Sequence, residues 1–104
     1  MIIEGEIILD SRKITHYLLV WKAESDKSAF LNKLGYTQNN WDELEQDIRE
    51  IIRTGEAIYS RPAPFGGDLY KISGTLRNFG VVTIWLYTET PAVWRFVTLY
   101  PEKL

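Results

Sequence analysis

The apolar positions of this chain change their period at Gly55. Upstream they recur every three or four residues, and downstream they alternate with polar ones. Ile2 to Leu9 is apolar and largely β-branched apart from Glu4, Gly5 and Glu6, and reads as a short extended segment at a sheet edge. Asp10 or Ser11 can cap a helix, with Ile14, Tyr17 and Leu18 following at helical spacing. Ser25-Asp26 offers a second cap, Phe30, Leu31 and Leu34 supply a stripe, and Gly35 sits where a left-handed residue ends a helix. The clearest helical pattern runs from Asn40 to Thr54. Asn40 and Glu43 stand as N-cap and N3 of a capping box, Trp41, Leu44, Ile48, Ile51 and Ile52 form the buried stripe, and Gly55 terminates it.

Period two then predicts strands over Glu56–Arg61, Leu69–Leu76, Val81–Thr88 and Val93–Tyr100. Turn residues separate them: Pro62 to Gly67, then Asn78-Phe79-Gly80, then Glu89 to Ala92. Connections this short force antiparallel neighbours, because a parallel crossover needs about a dozen residues. The expected fold is α+β, with two or three N-terminal helices packed on one face of a four-stranded antiparallel β-meander and the N-terminal segment as an additional edge strand.

Alternation divides each strand between two faces. In the third predicted strand Val82, Ile84 and Leu86 are assigned inward, which leaves Thr83, Trp85 and Tyr87 on the second face with Tyr59, Arg61, Lys71, Ser73 and Thr75. In the last strand Val93, Val97 and Leu99 fall on one side with Arg95, and Trp94, Phe96, Thr98 and Tyr100 on the other. The pattern leaves open which side the helices cover.

Composition narrows the chemistry. At 104 residues and 12.1 kDa the chain fits one domain, residues 1–104. The 45% hydrophobic content suffices for a core, and four Trp and six Tyr are a high aromatic load, so some rings are expected to meet a partner. With no cysteine, disulfides, thiolate zinc sites and Cys nucleophiles are excluded. The lone His16 excludes a His-pair metal motif, Gly66-Gly67 lacks the Lys-Ser/Thr and helix of a phosphate loop, and no metal or cofactor is expected. No run reaches the roughly 18 apolar residues of a membrane span, and Met1-Ile2-Ile3-Glu4 is not a basic leader, so a cytoplasmic protein is expected. The net charge of −2 argues against general nucleic-acid binding. It is uneven: residues 1–55 hold seven Lys/Arg against ten Asp/Glu, and residues 56–104 hold five against four. The C-terminal half therefore has room for a basic face.

Several segments carry a resemblance. They are Arg12 to Leu19, Lys27 to Tyr36, Asn40 to Leu44, Ile72 to Leu76, Val82 to Trp85 and Arg95 to Pro101, which are spread along most of the chain. In these the sequence resembles a small bacterial domain family of unknown function, whose members occur alone and near or within toxin systems. The order of helices and meander, closing on a strand with Thr98, Tyr100 and Pro101, is also similar to the barnase, EndoU, colicin and RelE class of ribonuclease toxins. The chain departs from the nearer family at Val82, where a basic residue is expected.

The second resemblance implies metal-independent RNA cleavage, which needs a base for the 2′-hydroxyl, cationic stabilisation of the phosphorane and an acid for the leaving oxygen. The catalytic candidates are His16, the one side chain that titrates near neutrality, Arg95 for phosphate, and Thr98 and Tyr100 as hydrogen-bonding partners. Lys27, Arg61, Lys71, Trp85 and Tyr87 are the substrate-binding candidates, the rings by stacking on bases. Each has a plainer reading: His16 and Lys27 as solvated helix residues, Arg95 as a cation covering aromatic surface, Thr98 and Tyr100 as good strand formers. Three functions are therefore weighed: a self-associating or partner-binding interaction module, a ribonuclease acting on RNA, and a small-ligand pocket between helices and sheet. The first is the expectation, with a homodimer or a partner protein against the aromatic and basic face.

Overall fold

Gly55, where the period changes, is the joint between a helical layer and the strands. The computed structural model describes residues 5–19 and 27–102, with only the backbone of His16, Tyr17 and Lys27. In chain order the elements are β1 (Glu6–Ile8), α1 (Ser11–Lys13) running into a π-helical turn (Ile14–Leu18), α2 (Lys27–Lys33), a 3-10 turn (Gln38–Asn40), α3 (Trp41–Thr54), β2 (Ala57–Pro62), β3 (Asp68–Leu76), β4 (Phe79–Thr88) and β5 (Val93–Pro101). The fold is α+β. The sheet has five strands in the order β1-β5-β4-β3-β2. β2 to β5 form the antiparallel meander, but β1 joins it parallel to β5, with Glu6 opposite Val93 and Ile8 opposite Arg95. The expected four-stranded antiparallel sheet is thus a five-stranded mixed one. A parallel neighbour is available because the whole chain, not a short turn, connects β1 to β5.

The expected caps divide. Asp10 caps α1, accepting from the Arg12 backbone N–H at 2.9 Å. Gly35 has a φ of +93° just past α2, as a helix-ending left-handed residue requires. The Ser25-Asp26 cap lies outside the described residues. Asn40 precedes α3 without capping it: its side chain accepts from the Thr37 backbone N–H at 2.6 Å and donates to the Gly35 carbonyl at 2.8 Å. The capping box therefore belongs to the 3-10 turn, between Thr37 and Asn40, and Glu43 is released to pair with Arg77.

Leu44, Ile48, Ile51 and Ile52 are the buried stripe of α3, and Trp41 is half-buried at its start. They pack with Ile14, Leu18, Leu31, Leu34 and Tyr36 against Ile72, Leu76, Val81, Trp85, Phe96 and Leu99 of the sheet. A Cβ at Gly74 would lie 2.8 Å from Ile51, so α3 crosses β3 at a distance only glycine allows. The hairpin joining β3 to β4 turns at Arg77 and Asn78, both at positive φ, rather than at the expected Asn78-Phe79-Gly80. Two left-handed residues between paired strands form the tight turn whose twist suits an antiparallel hairpin.

Candidate functional site

Pairing register sets which side chains share the face of the sheet away from the helices. Ile72, Thr83 and Leu99 are laterally aligned and buried, as are Trp85 and Phe96, and all of these point toward the helices. Val82, Ile84 and Leu86 therefore point away. This reverses the assignment made from alternation, which took Val82, Ile84 and Leu86 as inward and put Thr83, Trp85 and Tyr87 outside. Trp85 is fully buried, its Nε1–H donating to the Thr83 hydroxyl at 2.8 Å, and that hydroxyl donates to the Ile72 carbonyl at 2.7 Å. Tyr87 is half-buried on the helix side, its ring 4.6 Å from that of Trp94 and 6.1 Å from that of Tyr70.

Two β-bulges complete the register. In β2, Tyr59 lies opposite Tyr70 and Arg61 opposite Leu69, with Ser60 as the extra residue. In β5, Phe96 lies opposite Trp85 and Thr98 opposite Ile84, with Val97 as the extra residue. The second bulge resets the alternation of β5, so Leu99 joins Trp94 and Phe96 inside, while Thr98 and Tyr100 fall on the outer face with Arg95. The expected split, with Leu99 beside Arg95 and Thr98 and Tyr100 beside Trp94, is corrected by one inserted residue.

The outer face then reads as rows running across the strands. One row is Arg61, Leu69, Leu86 and Arg95, and the next is Ile58, Lys71, Ile84 and Thr98. A third is Ser73, Val82 and Tyr100. Between the first two rows is a cleft of about 370 Å³ lined by Ser60, Arg61, Leu69, Lys71, Ile84, Val97 and Thr98. Both bulged residues line it. Arg61, Lys71 and Arg95 are exposed, and Ile58 is 60% exposed. Of the arginines among the described residues, Arg12, Arg49, Arg53 and Arg77 each meet a carboxylate, whereas Arg61 and Arg95 form no ion pair.

Of the candidate residues, Arg61, Lys71, Arg95, Thr98 and Tyr100 are thus brought onto one face. Trp85 and Tyr87 are on the opposite one. The backbone of His16 lies in the π-helical turn, whose Ile14 and Leu18 enter the core beneath the sheet, so it and Arg95 belong to opposite sides of the sheet. Lys27 opens α2 in the same helical layer. The side chains of His16 and Lys27 lie outside the described residues.

A second constellation escaped sequence reading. Tyr36, buried behind α2, donates its hydroxyl to Asp47 at 2.5 Å, and Arg77 lies over its ring with the guanidinium carbon 4.3 Å from the centroid. Arg77 also donates to the Leu34 carbonyl at 3.2 Å and to Glu43 at 3.0 Å. Burial pushes the Tyr36 phenol well above its ordinary value, the Asp47 carboxylate adds to that, and Arg77 opposes it. The cluster clamps the β3–β4 turn to the loop after α2.

The family profile of a domain of unknown function (DUF6883) matches residues 4–103 of the chain. No curated protein and no solved structure matches it. No helix among the described residues is long and apolar enough to cross a membrane.

Proposed function

Since the chain belongs to the DUF6883 family, a family of unknown function, we propose a role from the outer face itself: a non-catalytic interaction module that docks an acidic protein partner. The observation that carries this reading is the pairing of aliphatic rows with Arg61, Lys71 and Arg95, three cations with no carboxylate partner among the described residues. Aliphatic surface together with arginine suits a protein interface, where arginine is enriched and complementary charge selects the partner. Single-stranded nucleic acid calls instead for rings on which bases stack, and Trp85 and Tyr87 point into the helix side. Tyr100 is the aromatic residue left on the outer rows. Self-association through two copies of this face would set like charges against each other, which favours a different protein over a second copy.

A second reading, ribonuclease-toxin-like cleavage of RNA, is favoured by the gathering of Arg95, Thr98 and Tyr100 with Arg61 and Lys71 on one face. Against it, the described residues that line the cleft are cations, hydroxyls and aliphatics, with no imidazole or carboxylate among them to take the 2′-hydroxyl proton.

Co-expression with the products of neighbouring genes decides between them. A partner that co-purifies with the wild-type chain and is lost from Arg61→Glu and Arg95→Glu supports docking. Cleavage of total RNA in EDTA that vanishes in Arg95→Ala, with no partner retained, overturns it in favour of the enzyme. A homodimer by light scattering that survives both charge reversals overturns this use of the face.

A further inference from the structure

In the row formed by Arg61, Leu69, Leu86 and Arg95 two arginines flank two aliphatic side chains, and Ile8 of β1 follows beyond Arg95. These are the two described arginines that meet no carboxylate. Arg61 stands on β2 and Arg95 on β5, so three inter-strand spacings separate their positions. At about 4.8 Å each, that is roughly 14 Å. An extended chain covers this span in about four residues, at roughly 3.3 Å per residue, and its side chains at i, i+2 and i+4 point the same way. A helix rises only about 6 Å over the same four residues, and its width of about 10–12 Å would bridge the cleft rather than enter it.

We propose that the docking face binds an extended acidic segment laid across the strands. Two carboxylates four residues apart meet Arg61 and Arg95, and an aliphatic side chain midway between them rests on Leu69 and Leu86. This rests on the reading of the face as a protein-docking surface. The segment's edge runs along the cleft, where Lys71 and Ser60 offer donors to its carbonyl oxygens above an apolar floor of Ile84 and Val97. The matched charge selects an acidic segment, and the spacing selects its register. Charge-assisted pairs at both ends contribute most where the aliphatic contacts between them exclude water.

The test titrates a synthetic peptide, acetyl-Glu-Ser-Val-Ser-Glu-amide, into the isotope-labelled full chain at low salt and follows amide shifts. The comparison probes are its Gln-for-Glu counterpart, a shortened peptide with the two glutamates two residues apart, and a single-stranded RNA oligonucleotide. Shifts centred on Arg61, Leu69, Leu86 and Arg95 are expected, with affinity falling about tenfold or more for either comparison peptide and for Arg61→Glu or Arg95→Glu. Both arginines are exposed, so the variants keep the fold, which circular dichroism checks directly. Equal affinity for both glutamate spacings overturns the inference and leaves the docking reading standing. No peptide binding also overturns the inference, and the docking reading then depends on the co-purification result. Tighter binding of the oligonucleotide at the same row overturns both.

Discussion

Trp85 and Thr83 stand two residues apart on one strand face, and the indole N–H of the first donates to the hydroxyl of the second at 2.8 Å in a fully buried site. The hydroxyl in turn donates a hydrogen bond to the Ile72 carbonyl on the neighbouring strand. Every polar atom in this chain of donors is satisfied, which is why a threonine and a tryptophan sit in the middle of an apolar core. Thr83→Val keeps the shape but orphans the indole N–H, so a loss of about 1–3 kcal/mol is expected in urea unfolding. Thr83→Ser retains the hydroxyl and is expected to lose less than the valine variant.

The same pair explains what could and could not be read from the sequence. β4 is apolar on both faces: Val81 and Trp85 on one, Val82, Ile84 and Leu86 on the other. Alternation alone had nothing to choose by, and the assignment of Val82, Ile84 and Leu86 as inward left Thr83 on the outside. Its satisfied hydroxyl places it inside. The helix stripe of Leu44, Ile48, Ile51 and Ile52 was legible because a single apolar period ran unbroken through it. The outer face was legible in β3 and in part in β2: Arg61 and Lys71 were grouped as the structure has them, but Tyr59, placed beside Arg61 by alternation, falls on the helix side opposite Tyr70 because Ser60 is an extra residue. In β5 it was hidden by Val97, since a bulge is a property of pairing with the next strand and leaves no local mark.

Arg77 holds the β3–β4 turn in place through the Tyr36 ring, the Leu34 carbonyl and Glu43. Arg77→Ala is expected to cost about 1–2 kcal/mol, from the lost cation–π contact and carbonyl bond together. Gly35→Ala is expected to be at least as damaging, because the new Cβ would lie 2.8 Å from the Arg77 guanidinium in a backbone of φ +93°. Thermal unfolding of the two variants checks both.

Tyr36 ties stability to alkaline pH. Its folded value is raised above the ordinary 10.0, so the folded chain holds the phenol proton more tightly than the unfolded chain does. The stabilisation is fully present below pH 10 and is lost as pH rises from there toward the folded value. Melting temperature measured from pH 8 upward is expected to fall in the wild type beyond about pH 10. In Tyr36→Phe this component of the slope is expected to vanish, at the cost of the bond to Asp47.

Deleting Val97 is expected to remove the β5 bulge, bringing Phe96 and Thr98 into consecutive register opposite Trp85 and Ile84. Regular alternation then still keeps Trp94, Phe96 and Leu99 facing the helices, so the change is confined to the local twist of the bulge and to the cleft wall that Val97 provides. Stability is therefore expected to fall by about 1 kcal/mol, as for a typical single change outside the core. By contrast Arg61→Glu and Arg95→Glu are expected to change stability by less than about 0.5 kcal/mol while weakening partner binding. Chemical denaturation of the three variants side by side separates structural from binding positions.

β1 meets the sheet only through β5, with Glu6 set beside Val93 across almost the full length of the chain. During synthesis the first strand therefore waits for the last. The helices and the β2–β4 hairpins can form from neighbouring residues as they leave the ribosome, while the final parallel pairing closes a loop of most of the polypeptide and is expected to come late. Until then Ile7, which packs against the core in the finished domain, has no mate, and a nascent chain stalled before Val93 is expected to be open to proteases at its first strand.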